Sequence, residues 1–134
     1  MKTKAVLSVQ DVQTILTAAQ KHAQDHQWPV TISVVDDGGH LLGLVRLDGA
    51  APISAQISPA KARTAALGRR ESKGYEEVIN QGRYAFLSVP LDAMLEGGVP
   101  IVVNNDVVGA VGVSGVKSSE DVEVARAGIA ALKL

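Results

Sequence analysis

Gly97-Gly-Val-Pro-Ile-Val-Val-Asn104-Asn105-Asp106-Val-Val-Gly-Ala-Val-Gly-Val-Ser-Gly115 is the stretch around which the rest of the chain is read. Two β-branched runs, Ile101 to Val103 and Val107 to Val113, flank an Asn-Asn-Asp turn. Asn and Asp tolerate the positive φ of a tight hairpin turn, so the segment predicts a buried β-hairpin. Gly109, Gly112 and Gly115 recur every third residue, a spacing that neither strand nor helix requires. Glycine inside a strand marks a bulge or the close approach of something else, here a ligand, a second subunit or a helix.

Upstream, Val30 to Asp48 carries Val-Thr-Ile-Ser-Val-Val, then Asp36-Asp37-Gly38-Gly39, then His40-Leu-Leu-Gly-Leu-Val-Arg-Leu-Asp48. This reads as a second hairpin, with Thr31 and Ser33 alternating with Ile32 and Val34. Its return strand is nearly apolar on both sides until Arg46, which predicts cover on both faces. Ser8 followed by Asp11 is a helix-start signature, and Val9, Val12, Leu16, Ala19 and Ala23 form one stripe, so a helix is expected from about Val9 to about His26. Trp28-Pro29 ends it, since the residue before proline avoids the helical region. A second helix contains Ala60 to Leu67. It starts either at Ser58-Pro59 as cap and first turn, or near Pro52 with a bend at Pro59. Glu71 to Gln81 predicts a short polar helix and Tyr84 to Pro90 a strand or extended segment. Ser118 and Asp121 repeat the capping signature before a last amphipathic helix, with Val122, Ala125, Ile129 and Leu132 on its stripe. Hairpins interleaved with helices give an α+β sandwich on an antiparallel sheet.

The chain has 134 residues, room for one domain. Thirteen Lys plus Arg against 14 Asp plus Glu give a net charge of -1, and aromatic residues are few. Both features disfavour nucleic-acid binding. Cysteine is absent, which excludes disulfides, thiolate nucleophiles, iron–sulfur clusters and covalent haem attachment. No apolar run approaches a membrane span or a signal peptide, and a cytoplasmic location is expected.

Several chemistries are weighed against plainer readings. The Gly-rich run lacks the Gly-x-Gly-x-x-Gly spacing between strand and helix that a dinucleotide site needs. Gly112-Val-Ser114-Gly115 lacks the spacing of a nucleophile elbow, although Ser114 stands between glycines at a strand end. His22 and His26 are four apart, a spacing able to hold one metal. With no third ligand in sequence reach, favourable charge at a helix carboxyl end is the preferred account, and no metal site is assigned. Asp36-Asp37 is read as turn chemistry, His40 as a hairpin residue and Asp121 as a helix-start charge. Arg46 and Asp48 end a buried-looking strand, so they pair with each other or with Lys61, or they rim a pocket. Lys61 and Thr64 share a helix face.

Val35-Asp-Asp-Gly-Gly-His-Leu-Leu42, Arg46-Leu-Asp-Gly-Ala50, Lys61-Ala-Arg-Thr-Ala65, Gly97-Gly-Val-Pro-Ile101 and Gly109-Ala-Val-Gly-Val-Ser-Gly115, with Asp121 and Ala125, together resemble the GlcG/HbpS-like haem-binding proteins. The carboxyl-terminal domain of PduO-type corrinoid adenosyltransferases belongs to the same group. The resemblance spans nearly the whole chain. It implies a profilin-like α-β-α sandwich around a five-stranded antiparallel sheet, assembled as a homo-oligomer, with octamers known. Some members bind haem non-covalently, one partners an extracellular redox sensor, and others are encoded beside catabolic enzymes. Carried over by motif, Lys61 and Thr64 with Gly97, Gly98 and Pro100 border the pocket, Thr64 lies near haem iron, and Lys61 or Arg46 meets the propionates. Ser114, Asp36, His40 and Asp48 complete the set of pocket residues. A threonine hydroxyl is a weak axial ligand, so loose binding is expected. Two other functions compete. One is an accessory enzyme of small-carboxylate catabolism, in which Lys61, Arg46 and Asp36 or Asp48 hold and enolise an oxo or hydroxy acid. The other is an assembly module whose glycine strand packs against another subunit.

Overall fold

A computed structural model describes all residues 1–134. The order is α1 (Val9–Asp25), β1 (Thr31–Asp36), β2 (Leu41–Arg46), α2 (Ser54–Gly68), α3 (Lys73–Asn80), a 3-10 helix over Tyr84–Ser88, β3 (Gly98–Val103), β4 (Asp106–Ser114) and α4 (Ser118–Ala130). The strands form one antiparallel sheet in the order β2-β1-β4-β3, so the two hairpins are joined through β1 and β4. The sheet has four strands, not the expected five. Tyr84–Ser88 coils into the 3-10 helix instead of extending, and Tyr84 and Leu87 point largely to solvent.

Both turns follow from their residues. Asn104 and Asn105 adopt φ of 50° and 65°, the paired positive values of a type I′ turn. At the first hairpin the Asp36 carboxylate accepts from the Gly38 and His40 amides at 3.0 and 2.9 Å. α1 begins with the anticipated box: Ser8 Oγ accepts from the Asp11 amide, and the Asp11 carboxylate accepts from the Ser8 amide. α4 starts differently. Its cap is Lys117, whose amide donates to Glu120, while Ser118 donates to Glu96. α2 begins at Ser54, the earlier of the two predicted starts, with Pro59 inside it and Ser58 serving the interior instead of a cap.

α1 and α4 cover one face of the sheet, burying Val12, Ile15 and Ala19 with Ile32, Val34, Val111, Val113, Val124 and Ala125. α2 covers the other. Burial of this apolar surface is the main force holding the layers together. The second interface is unusual in its chemistry. Thr31 and Ser33 of β1, the polar half of the alternation, are fully buried and bond Ser54 and Ser58 of α2 at 2.7 Å each. Ser58 Oγ also lies 2.8 Å from the Gly112 carbonyl, which it can reach as donor.

The triplet glycines have separate causes. Gly98 and Gly112 are paired across β3 and β4, and a Cβ on either would run into the backbone of α2, at Lys61 and at Ser58 and Ala62. The close approach inferred from sequence is therefore that of a helix. Gly109 instead admits the Val35 carbonyl, and Gly115 takes φ 149° beside Pro29. β2 corrects another expectation. It is an edge strand with Leu41, Leu42 and Leu44 exposed, because α2 is centred over β4 and leaves the far edge bare.

Candidate functional site

Lys61 is a buried cation with two partners at its charged end. Its aliphatic stem runs along the surface of α2 toward the sheet, and its ammonium donates to the Val113 carbonyl at 3.0 Å and to Asp121 Oδ2 at 3.1 Å. The two side chains are 5% and 3% exposed. Asp121 Oδ1 accepts from the Val116 amide at 3.2 Å. Gly97 makes this reach possible, since a Cβ there would stand 2.7 Å from both Lys61 Nζ and the Val113 carbonyl. Burial pushes the Asp121 carboxyl above its usual range, and the Lys61 charge and Val116 amide pull it back.

Thr64 lies one turn further along α2. It is fully buried, and its Oγ1 is the one buried side-chain polar atom without a hydrogen-bond partner. Lys61, Thr64 and Gly68 follow one another at helical spacing along one edge of α2. The flanking two abut Gly97 and Gly98 at one end and the Tyr75 hydroxyl at the other. Ser72 ties the same region down: the Gly98 amide donates to its Oγ at 2.8 Å, and that hydroxyl donates to the Leu95 carbonyl.

The structure thus brings Lys61 against Gly97 and Gly98, with Thr64 one turn along the same helix. Five recesses on the molecule are lined by none of the four. Pro100 sits half-buried on β3, an edge strand where its missing donor is tolerated, and Ser114 is buried at the end of β4. The remaining residues are dispersed. Arg46 donates to the Ala50 carbonyl at 2.9 Å, and Asp48 lines a shallow recess with Gln24, Gln27 and Trp28. Neither pairs with the other or with Lys61. Asp36 and His40 contact each other at the opposite end of the hairpin from Arg46, with Nδ1 of His40 3.0 Å from Asp36 Oδ1. The cations and acids of the oxo-acid enzyme therefore do not converge on one point.

Sequence reasoning missed Asp121 as the partner of Lys61, reading it as a helix-start charge. A signal was present, because Asp121 is four residues before Ala125 on the inward stripe of α4, where an acid needs a cation. It also missed an apolar recess of about 400 Å³ between α3 and the chain that follows, lined by Ile79, Leu87, Leu91, Met94 and Leu95 with Glu76, Asn80 and Asp92. No helix is long and apolar enough to cross a membrane.

The chain is 60% identical over 114 residues to protein GlcG of Escherichia coli strain K12, covering 85% of each. The crystal structure of HbpS superposes with a TM-score of 0.90 at 28% identity, over 98% of this chain and 94% of that one. The PduOC:heme complex does so with a TM-score of 0.85 at 27% identity, over 95% of each. The family model described as haem degrading protein HbpS-like matches residues 7–130, and with GlcG as a close relative the chain belongs to the HbpS-like family.

Proposed function

We propose that this chain binds haem or a closely related tetrapyrrole, non-covalently and as a homo-oligomer, at the edge of α2 that carries Thr64. The observation that carries the reading is the Thr64 hydroxyl, fully buried and without a partner. Burying a hydroxyl unpaired costs about 1–3 kcal/mol, so a chain that keeps one there has a use for it. Membership of the HbpS-like family and the haem-complexed structural neighbour support the choice of ligand.

A haem site needs an apolar slot, an axial ligand and, for the propionates, cations. A single chain does not fit that list in full. The Lys61 ammonium is already committed to Asp121 and Val113, and the apolar recess beside α3 is rimmed by Glu76 and Asp92, which repel propionates. In this reading the slot is completed by displacement of the Ser72–Tyr75 stretch or by a second copy. Tyr84, Leu87 and Leu95, exposed on one segment, give a neighbouring subunit an apolar surface to cover. Lys61 then acts as the anchor of α2 and not as a propionate ligand.

Titration with hemin, followed at the Soret band and repeated in His26→Ala to remove an exposed imidazole, tests the reading. Saturable binding near one haem per chain is expected. Thr64→Val should weaken binding about tenfold or alter the spectrum while raising the melting temperature of the unliganded protein, because a methyl replaces an orphaned hydroxyl. An unchanged Soret band on mixing refutes haem binding. An identical titration in Thr64→Val refutes the location, and loss of binding in Met94→Ala would move it to the recess beside α3.

A further inference from the structure

We infer that His22, His26 and Glu123 form a binding site for one divalent first-row transition ion, with Zn²⁺ as the best match. The two histidines occupy the last turn and the cap of α1, and Glu123 comes from the first half of α4, 101 positions beyond His22. His22 Nε2 is 2.7 Å and His26 Nε2 3.9 Å from the same oxygen, Glu123 Oε2. The three ligand atoms all lie within 4.8 Å of one another. Bonds of about 2.0–2.1 Å in a tetrahedron put neighbouring ligand atoms about 3.3 Å apart, a value that the two distances to Glu123 bracket. Glu123 is half exposed, so its side chain can turn to even out these distances.

Two contacts prepare the His26 imidazole for this role. His26 Nδ1 is 2.8 Å from the His22 carbonyl. A carbonyl only accepts, so Nδ1 is the donor there, and Nε2, on the Glu123 side of the ring, is the nitrogen left to take a metal. Metal-bound histidines are held in the same way, by donation from the other ring nitrogen to a carbonyl. The Trp28 ring stacks on His26 at 4.4 Å between centroids and 25° between planes, which fixes the ring orientation.

Two imidazoles and one carboxylate suit a borderline ion and not Mg²⁺ or Ca²⁺, which take oxygen shells. Three protein ligands leave a fourth position open to water or to an anionic ligand, so the ion is exchangeable. It also joins α1 to α4 across the face that both helices cover, and binding therefore stabilises the fold by mass action. This site is independent of the haem reading, since none of its residues lies on α2.

Calorimetric titration of the metal-free protein with Zn²⁺, with Co²⁺ as an optical probe, decides the matter. One ion per chain, a visible Co²⁺ spectrum of low coordination number and a melting temperature raised by several degrees are expected. His26→Ala and Glu123→Gln should each weaken binding by about 100-fold and abolish the thermal shift, while Asp25→Asn, outside the triad, keeps both. The substituted side chains are exposed, so the metal-free variants should melt near the wild type. Absence of Zn²⁺ binding at micromolar concentration overturns the inference, as does equal binding by His26→Ala or Glu123→Gln.

Discussion

Replacing Lys61 with methionine should be among the most damaging single changes available in this chain, and the damage should depend on pH in a direction the geometry dictates. Methionine keeps most of the stem and removes the charge that Asp121, 3% exposed, faces at 3.1 Å. The carboxylate is then left with one protein donor, the Val116 amide. Breaking a buried pair on one side costs about 3–5 kcal/mol, about a fifth or more of the roughly 5–15 kcal/mol by which such a domain is stable. With a urea dependence of about 1.5 kcal/mol per molar, the unfolding midpoint falls by roughly 2–3 M. Lys61→Met/Asp121→Leu should recover most of this, because two apolar residues in place of a buried pair are near neutral or stabilising.

The pH dependence separates a lost charge pair from lost packing. Burial already raises the Asp121 carboxyl above its reference value of 3.8, so the folded chain holds that proton more tightly than the unfolded chain does. The favourable contribution of the protonated acid is fully present below the unfolded value and is lost as pH rises through the folded one. Removing Lys61 takes away an attraction that lowers the folded value, so it climbs further. The deficit of Lys61→Met relative to wild type should therefore be largest at neutral pH and shrink as the pH falls toward 4. Urea unfolding at fixed protein concentration, at pH 7 and pH 4.5, measures it. A deficit below about 0.5 kcal/mol at pH 7, or one that stays constant or grows on acidification, refutes the account of Lys61 as the charge partner of Asp121.

Gly112→Ala and Gly74→Ala should have opposite signs. The first drives a methyl into the Ser58 carbonyl and the Ala62 amide, backbone atoms that cannot swing aside, and should lose about 3 kcal/mol in chemical denaturation. The second adds a methyl inside α3 with its nearest neighbours 3.8 Å or more away on the flexible Arg70 side chain, and should gain about 0.5–1 kcal/mol. Asn105→Gly, at a φ of 65° in the β3-β4 turn, should gain up to about 1 kcal/mol in the same assay.

Much of the architecture was legible because it is written locally. The Asn104-Asn105 turn, the Ser8-Asp11 box and the Trp28-Pro29 stop each act within a few residues, and each appears where its chemistry requires. Tyr84 to Pro90 was expected as a strand or extended segment because of its apolar residues, yet residues 84–88 coil into a 3-10 helix that adds no strand to the sheet and packs locally, with Phe86 edge-on to Tyr75. β2 was misread for the complementary reason: its leucines look buried in sequence, and which strand lies at the edge is a property of the whole sheet. Lys61 and Asp121 are 60 residues apart and His22 and Glu123 are 101 apart, and nothing in either neighbourhood names its partner.

The glycine run shows where the two kinds of information meet. Its spacing announced a close approach, and α2 supplies the visitor, with Gly98 and Gly112 receiving its backbone directly. Because the helix sits so near the sheet, every polar group at that interface must be paired by something equally close: Ser33 with Ser58, Thr31 with Ser54, Lys61 with Val113 and Asp121. Thr64 alone escapes this pairing. Had the hydroxyl only a packing role, valine would fill the same space without the desolvation cost. A helix held this tightly at three polar points and left open at the fourth is stiff enough to keep that hydroxyl in place, which makes it the position where substitution should separate ligand affinity from stability.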